Sequence, residues 1–204
     1  MKRGRPKQID REQVLETAMR VFWERGYAET SVRTIGDECS VGLQSIYNEF
    51  GSKDELFSLA LDRYCEQRVG RQVAELLETN PAIDGLRALF DFWVEFHSDK
   101  STHGCFLAQT LADFGEGEGQ SNAEESIAAA ARRYHQRNEK LFRLALDRAR
   151  EQGDVPESLD TKSTARALVA LATGIAVLGR SQVSRSFLVD VTQEARRLIG
   201  DGDA

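Results

Sequence analysis

The sequence predicts an all-α protein of about nine helices, with a small N-terminal unit of three helices followed by a larger helical domain. Three observations support this fold class. Of 204 residues only three are proline, and the helix-favouring residues Ala, Leu, Arg and Glu recur throughout. Apolar residues return every three or four positions, which places them on one face of a helix. No two segments alternate apolar and polar residues as adjacent strands would.

Three short helices are predicted near the N-terminus. The first spans about Asp10 to Arg25, because Asp10 is a good N-cap and a glycine follows Arg25. The second begins at Thr30 or Ser31, either of which can cap it. Cys39-Ser40-Val41-Gly42 is a tight turn, and the third helix covers about Leu43 to Glu49. A turn between the second and third of three short helices is typical of a helix-turn-helix unit.

Further helices are predicted along the rest of the chain. The fourth starts at the capping box Ser52-Lys53-Asp54-Glu55 and runs unbroken to about Glu78, roughly 40 Å at 1.5 Å per residue. The others are expected at about residues 81–97, 103–114, 123–152, 161–180 and 184–199. We expect two domains, residues 1–53 and residues 54–204, with the fourth helix leading from the first domain into the second.

Charge is distributed unevenly along the chain. Lys and Arg number 27 against 33 Asp and Glu, which gives a net charge of −6. Residues 1–11 nevertheless carry five basic residues and one acidic residue, a local charge of +4. Such a basic arm can bind a polyanion, because its local field matters more than the total charge; a solvated tail is the alternative. Within it, Arg3-Gly4-Arg5-Pro6 resembles the core of an AT-hook, whose arginines lie in the minor groove of A·T-rich DNA.

The sequence also bears on the cellular compartment. The longest apolar run, Ala167 to Gly179, is shorter than the roughly 20 residues that a membrane-crossing helix needs. No apolar stretch follows the basic N-terminus, so we expect no signal peptide. The three cysteines are too widely spaced for a disulfide framework. We therefore expect a protein of the reducing cytoplasm with no membrane partner.

A specific motif runs through the second and third predicted helices and into the fourth. Its positions are Gly26-Tyr27, Thr30-Ser31-Val32, Ile35, Val41, Ser45-Ile46-Tyr47, Phe50 and Ser52-Lys53-Asp54-Glu55-Leu56. The motif resembles the DNA-binding domain of the TetR family of bacterial transcriptional repressors. The resemblance implies a homodimer that binds a palindromic double-stranded DNA operator and is released by a small-molecule effector. The chain departs from the usual pattern at Gly36, Ser40 and Gln44, where the family more often has Ala, Gly and Gly.

Polar residues around this motif are the expected DNA contacts. Gln44, Ser45 and Asn48 on the third helix can reach base edges in the major groove, and Gln44 can bond adenine through two hydrogen bonds. Contacts to phosphates or to the minor groove are expected from Arg3, Arg5, Thr30, Ser31, Arg33, Tyr47 and Lys53. For Ser31 a helix cap is an equally good interpretation.

Aromatic residues and a few polar ones on the middle helices suit a small-molecule cavity. The candidates for effector binding are Phe90, Trp93, His97, Cys105, Phe106, Gln109, Tyr134 and Asn138. Packing in an ordinary hydrophobic core is the alternative for the aromatic residues. His97, His103 and Cys105 match no compact zinc motif, so no metal site is predicted.

Cys105 carries a second hypothesis, a repressor that senses an oxidant or electrophile through its thiol. The residue is expected at the start of a helix, where the helix terminus would lower the pKa of the thiol. The segment Gly104-Cys105-Phe106 also resembles one found in some TetR family members at this point of the chain. A free cysteine is, on the other hand, often a small buried hydrophobe.

The last two predicted helices supply the expected dimer interface. Their small and apolar residues permit close approach between subunits: Ala167, Ala170, Leu171, Gly174, Leu178, Leu188, Val191 and Ala195. An internal core helix is the alternative for the first of the two.

Two other classes of function are weaker. An enzyme is disfavoured because the sequence has no Gly-rich phosphate loop, no paired metal motif and no nucleophile elbow, and no cofactor is expected. A helical dimer that does not bind DNA would leave the basic arm and the polar third helix unexplained.

Overall fold

The structure is a computed structural model that describes residues 10–99, 103–114, 122–181 and 183–200. These residues form ten α-helices, one π-helical turn and no strand, which confirms the predicted all-α class. The additional helix arises because the fourth predicted helix is divided in two. The basic arm, with Arg3 and Arg5, lies outside the described residues.

Four helices form the N-terminal unit: α1 (Arg11–Arg25), α2 (Val32–Cys39), α3 (Leu43–Phe50) and α4 (Lys53–Arg63). Three of them begin at caps that the sequence predicts. Asp10 and Ser31 each accept the backbone N–H three residues further on, at 3.1 and 3.0 Å. Ser52 and Glu55 complete both hydrogen bonds of the capping box. These local bonds determine where α1, α2 and α4 start.

The turn between α2 and α3 depends on two unusual residues. Ser40 has φ 55° and ψ 37°, a left-handed conformation that few residues other than glycine adopt. Gly36 leaves room for the carbonyl oxygen of Val41, which a Cβ atom at this position would approach to 2.7 Å. The departures from the family pattern at these two positions therefore lie in one local arrangement, which sets the angle between α2 and α3.

The fourth predicted helix is not continuous, so that prediction is wrong. After α4 the chain makes a π-helical turn over Tyr64–Arg68 and continues as α5 (Val69–Leu77). In a π-helix the carbonyl of one residue faces the residue five positions ahead. Here the Cys65 carbonyl oxygen lies so close to Gly70 that an added Cβ atom would be only 1.8 Å from it. Glycine at this position is therefore required by the turn.

Five helices complete the described chain: α6 (Ala82–Ser98), α7 (Phe106–Asp113), α8 (Asn122–Gln152), α9 (Thr161–Arg180) and α10 (Arg185–Leu198). The start of α7 falls three residues after the predicted His103. Gly104 has φ 75°, which is incompatible with a right-handed helix. Its carbonyl accepts the indole N–H of Trp23 at 2.9 Å, which ties this segment to α1.

Two hydrophobic cores lie along the molecule. The first combines α1 to α4 with Phe106 on α7 and with the first half of α8. The second combines α5, α6, α9 and α10 with the second half of α8. Leu56 and Phe57 are almost fully buried in the first core, although the expected domain boundary after residue 53 places them in the second domain. Helix α4 thus packs as part of the N-terminal unit.

Candidate nucleic-acid interface and effector cavity

Helix α3 has one buried face and one exposed polar face. Ile46 and Phe50 anchor it, since they are 1% and 5% exposed. Gln44, Tyr47 and Asn48 lie on the surface, with Tyr47 42% exposed. The Gln44 amide donates a hydrogen bond to the Asn48 side-chain oxygen at 3.0 Å, which holds both amides in fixed orientations. Side chains of this kind can meet donors and acceptors on base edges.

The predicted phosphate contacts on α2 divide into two groups. Ser31 and Arg33 are exposed at the start of the helix, where Ser31 also acts as the cap. Thr30 is only 2% exposed, and its hydroxyl donates to the Gly26 carbonyl at 2.7 Å. The Thr30 side chain is therefore unavailable to a phosphate, which corrects the predicted contact. Ser45, on α3, is half-buried.

Lys53 occupies the first position of α4 and is held there by Tyr27. Its ammonium group lies 4.0 Å from the centre of the Tyr27 ring, a cation–π contact. The Tyr27 hydroxyl donates in turn to Asp54. Burial lowers the pKa of Lys53, and the free amides of the helix start add further attraction for an anion. Sequence reasoning did not identify Tyr27 as part of this site, because only the fold brings it to Lys53.

A cavity of about 80 Å³ lies between α5 to α9 and the π-helical turn. Its wall is mostly apolar and aromatic: Tyr64, Val73, Phe92, Trp93, Phe96, His97, Cys105, Leu107, Ala108, Leu111, His135, Asn138, Phe142, Val169, Ala172, Thr173 and Ala176. Of the candidates for effector binding, Trp93, His97, Cys105 and Asn138 lie on this wall.

Two predicted cavity residues belong to the cores instead. Phe90 is fully buried in the second core, with its ring centre 5.4 Å from that of Trp93. Phe106 is 1% exposed in the first core, with its ring 5.2 Å from that of Phe57. Neither residue lines the cavity, so both predictions are corrected in favour of ordinary core packing. Apolar residues at helical spacing suggested the cavity, but the same spacing is expected of residues that pack against neighbouring helices in a core.

The remaining candidates line adjoining spaces. The Tyr134 hydroxyl donates to the Asp62 carboxylate at 3.1 Å, and its ring borders a smaller cavity of about 40 Å³. Gln109 lines an open cleft of about 640 Å³ between the end of α1 and helices α7 to α9. Cys105 borders the cleft and both cavities. The large cleft therefore adjoins the apolar cavity at Cys105.

Burial controls the titration of the two reactive side chains on the cavity wall. It lowers the pKa of His97 to about 4, so the imidazole is neutral at pH 7. It raises the pKa of the Cys105 thiol, and this outweighs the opposite effects of the Ala108 amide, the nearby Tyr64 hydroxyl and the Leu107 amide. The predicted lowering of the Cys105 pKa is therefore wrong. Within the described ranges, no three His, Cys, Asp or Glu side chains form a group that could hold a metal ion.

Helices α9 and α10 expose an apolar face. Val177 and Leu178 on α9 are 46% and 39% exposed, and Phe187 and Leu198 on α10 are 39% and 41% exposed. Of the predicted interface residues, Ala170 is exposed, and the half-buried ones are Ala167, Leu171, Gly174 and Val191.

Two predicted interface residues on α10 are buried within the protomer. Leu188 and Ala195 are fully enclosed in the second core, which corrects their assignment. They lie on the inner side of α10, whereas Phe187 and Leu198 lie on its outer side.

One helix among the described residues is long and apolar enough by composition to cross a membrane, over Thr161–Gly179 of α9. This span begins before the apolar run seen in the sequence. Helix α9 packs against α6, α8 and α10, and 39% of its most apolar stretch is buried. Part of the remainder is the exposed apolar face of Val177 and Leu178.

The capped helix-turn-helix with its exposed polar edge, attached to a helical domain with an apolar cavity, defines a class of DNA-binding regulators. Residues 14–60 match the family model of bacterial regulatory proteins, tetR family, and residues 82–194 match that of the tetracyclin repressor-like C-terminal domain. The chain belongs to the TetR family and is a DNA-binding transcriptional regulator, not an enzyme.

Individual relatives agree with this assignment over nearly the whole chain. The HTH-type transcriptional repressor ComR of Escherichia coli strain K12 is 26% identical over 200 residues, covering 96% of this chain and 91% of ComR. The HTH-type transcriptional regulator YezE of Bacillus subtilis is 28% identical over 198 residues, 96% of this chain and 93% of YezE. The TetR family regulator CifR, a cysteine mutant complexed with 26-bp operator DNA, has a TM-score of 0.80 at 28% identity, covering 95% of this chain and 98% of that one.

Proposed function

We propose that the protein is a cytoplasmic, ligand-responsive repressor that binds a palindromic operator as a homodimer and is released by a small molecule. The observation that carries this proposal is the exposed polar edge of α3 in a member of this family. The apolar cavity beside the π-helical turn supports the ligand-responsive part of the proposal. The name of the relative ComR, a transcriptional repressor, supports repression over activation.

DNA recognition follows from the placement of the polar side chains. Gln44, Asn48 and Ser45 read bases in the major groove, with Gln44 suited to adenine. Tyr47 and Lys53 bond phosphates on either side of α3, and Ser31 and Arg33 do so from α2. The arm residues Arg3 and Arg5 enter the adjoining minor groove.

Dimerisation proceeds through the exposed apolar face of α9 and α10. A two-fold axis there places two α3 helices on one side of DNA, about 34–36 Å apart or at a multiple of that distance. The effector acts by changing this distance. The α4–π–α5 segment carries the change, because it packs in the N-terminal core at one end and borders the cavity at the other. A coupling of about 1–3 kcal/mol corresponds to about 5–150-fold weaker DNA binding.

The thiol-sensing alternative receives less support. A reactive cysteine needs an accessible thiolate. Cys105 is half-buried beside the open cleft, but desolvation raises the pKa of its thiol and so disfavours the thiolate. We therefore propose reversible binding of a small molecule as the releasing event.

The test begins with selection of the operator from genomic fragments, followed by footprinting. Fluorescence anisotropy at several salt concentrations then compares Tyr47→Ala and Lys53→Ala with the wild type. We expect both variants to weaken binding to every sequence, with Lys53→Ala reducing the log–log salt slope by about 2 for the dimer. Gln44→Ala should instead change which base is preferred.

The matched control is Lys140→Ala, which removes the same charge from the exposed surface of α8. It should leave the salt slope near the wild-type value, apart from a small long-range effect. Unchanged operator affinity in both Tyr47→Ala and Lys53→Ala, or an equal loss in Lys140→Ala, would contradict the proposed interface.

A further inference from the structure

We propose that the effector is a neutral, largely apolar molecule with an acceptor oxygen, and that this oxygen accepts a hydrogen bond from the Tyr64 hydroxyl. We further propose that Tyr64 relays occupancy of the cavity to the DNA-binding domain through Trp23. This inference rests on the proposed function and names the ligand class and the relay residue of the same site.

The wall of the cavity disfavours charged ligands. Among the described residues that line it, none is Asp, Glu, Lys or Arg. It carries two histidines, His97 and His135, and burial keeps the His97 imidazole neutral at pH 7. An ammonium group would enter without a counter-ion, and a carboxylate would find no Lys or Arg to pair with among the described wall residues. Because burial of an unpaired charge is strongly unfavourable, the wall favours molecules with no net charge.

The Tyr64 hydroxyl is the polar group that a ligand would satisfy. Tyr64 is 1% exposed and borders the cavity. Its hydroxyl lies near the Cys105 thiol and the Phe106 amide but makes no hydrogen bond of normal geometry to any described residue. Burial raises the pKa of this phenol well above its usual value, so it keeps its proton. Because a buried donor without a partner is costly, an acceptor oxygen at this point gains a full hydrogen bond.

His97 offers a second polar atom that is buried without a hydrogen-bond partner in the described part of the chain. It is 8% exposed, and its Nδ1 is buried without a partner among the described residues. Any side chain on Gly179 of α9 would meet this atom, at 2.7 Å from an added Cβ. His97 thus packs between the cavity and the helix that carries the exposed apolar face. A ligand that displaces the imidazole would press on α9.

Tyr64 is also the direct link between the cavity and α1. Its ring centre lies 5.2 Å from that of Trp23 in an edge-to-face contact. Trp23 lies on α1 and is fixed by its hydrogen bond to the Gly104 carbonyl, just before α7. Tyr64 itself is the first residue of the π-helical turn. A shift of its hydroxyl toward a ligand therefore moves the ring against the DNA-binding domain.

The volume limits the size of the ligand. About 80 Å³ is roughly half of the 150 Å³ of an engineered cavity that binds benzene. A five-membered ring with one substituent has as many heavy atoms as benzene, so such a probe would fill the cavity and extend past Cys105 into the open cleft, which adjoins the cavity there.

The ligand class is tested by calorimetric titration of the full-length protein with four probes of similar size. These are cyclopentanone, methylenecyclopentane, cyclopentylammonium and cyclobutanecarboxylate. We expect cyclopentanone to bind about 3–10-fold more tightly than methylenecyclopentane, which lacks the acceptor. Both ions should bind more weakly than either neutral probe. Equal binding of the ketone and the alkene, an ion that equals the ketone, or no binding by the ketone would overturn the ligand class.

Tyr64→Phe tests the hydrogen bond itself. The variant keeps the ring that packs on Trp23 and removes only a hydroxyl that has no partner, so its fold should persist, as circular dichroism will show. The preference for ketone over alkene should disappear in Tyr64→Phe, while methylenecyclopentane binds as in the wild type. If Tyr64→Phe still prefers the ketone, the ketone oxygen bonds a group other than Tyr64, and the proposed hydrogen bond is wrong.

The relay is tested with Trp93→Phe, which leaves Trp23 as the only tryptophan of the chain. Saturation with cyclopentanone should shift the Trp23 emission of this variant, with the same dissociation constant that calorimetry gives for the same variant. Unchanged emission at saturation would contradict the relay.

The same titrations separate this inference from the proposed function. Operator binding by the unliganded protein is measured first, and its absence would count against the regulator proposal alone. Probes that bind with the expected preference but leave the operator complex intact would contradict the proposed release of DNA by a ligand. They would still support the proposed chemical class of the ligand.

Discussion

Leu178→Asp should convert the protein from dimer to monomer without unfolding it. Leu178 is 39% exposed on α9, beside Val177, and it faces away from the second core. A charged side chain is tolerated there in the isolated protomer, because the position is already in contact with water. In a two-fold interface, however, two copies of the new carboxylate would lie close together and away from water.

The size of the effect follows from the exposed fractions. Val177, Leu178, Phe187 and Leu198 each retain about two fifths of their surface in the protomer. Covering that surface contributes about 0.6–1.2 kcal/mol for each residue, or about 5–10 kcal/mol for the pair of protomers. Leu178→Asp removes about 1–2 kcal/mol of this and adds several kcal/mol of carboxylate desolvation. The dimer should therefore weaken by about a thousand-fold or more.

Sedimentation equilibrium over a range of concentrations measures the change. Leu178→Asp should sediment as the 22.8-kDa protomer where the wild type sediments at twice that mass. Leu144→Asp is the matched control, because Leu144 is 51% exposed on α8 and lies outside the proposed interface. A dimeric Leu178→Asp, a monomeric wild type, or dissociation of Leu144→Asp would refute the placement of the interface.

Two further predictions concern stability. Ser40→Gly should raise the melting temperature by about 1–4 °C in calorimetry. The left-handed conformation costs serine about 1–2 kcal/mol, and the greater flexibility of glycine in the unfolded chain offsets about 0.5–1 kcal/mol of the gain. Ser40→Ala keeps the strained conformation, so it should give no increase. His97 should make the protein about 2 kcal/mol less stable at pH 5 than at pH 7. Its pKa of about 4 in the folded state lies below the unfolded value of about 6.5, so the unfolded state binds more protons between these values. When the free energy of unfolding is measured in urea at several pH values, His97→Gln should lose this part of the pH dependence. The control His103→Gln, whose side chain is 46% exposed in the wild type, should keep it. Equal slopes of unfolding free energy against pH in the two variants would contradict the assignment to His97.

Local chemistry explains why the N-terminal unit was predictable. Helix starts depend on caps a few residues away, so Asp10, Ser31 and Ser52 could be identified from the sequence alone. The exposed edge of α3 was also predictable from nearby residues, because the apolar residues Ile46 and Phe50 fix its inner face and leave the polar side chains outside.

Helical periodicity does not say what an apolar face will meet. Phe90 and Trp93 share one face of α6, yet Trp93 borders the cavity while Phe90 is enclosed in the core. Leu188 was expected at a subunit interface and packs inside the protomer instead. The sequence pattern separates apolar from polar faces, whereas the choice between core, cavity and interface depends on the neighbouring helices.

The π-helical turn shows a second reason for a missed feature. An unbroken apolar stripe runs from Leu56 to Leu77, and this stripe predicts one continuous helix through Gly70. Only the structure shows the Cys65 carbonyl against its Cα atom. A glycine in a long helix that joins two domains is a signal that could have indicated such a turn.

The turn also gives Tyr64 its position. A continuous α-helix advances 100° per residue, so one extra residue in a turn rotates everything beyond it relative to α4. The apolar stripe of α5 therefore meets the second core while that of α4 meets the first. Tyr64 lies at this change of direction, where its ring contacts Trp23 of α1 and the residue also borders the cavity. Replacing the π-helical turn with a regular helix would separate these two contacts, and for that reason the proposed coupling between effector and DNA depends on the geometry of the turn.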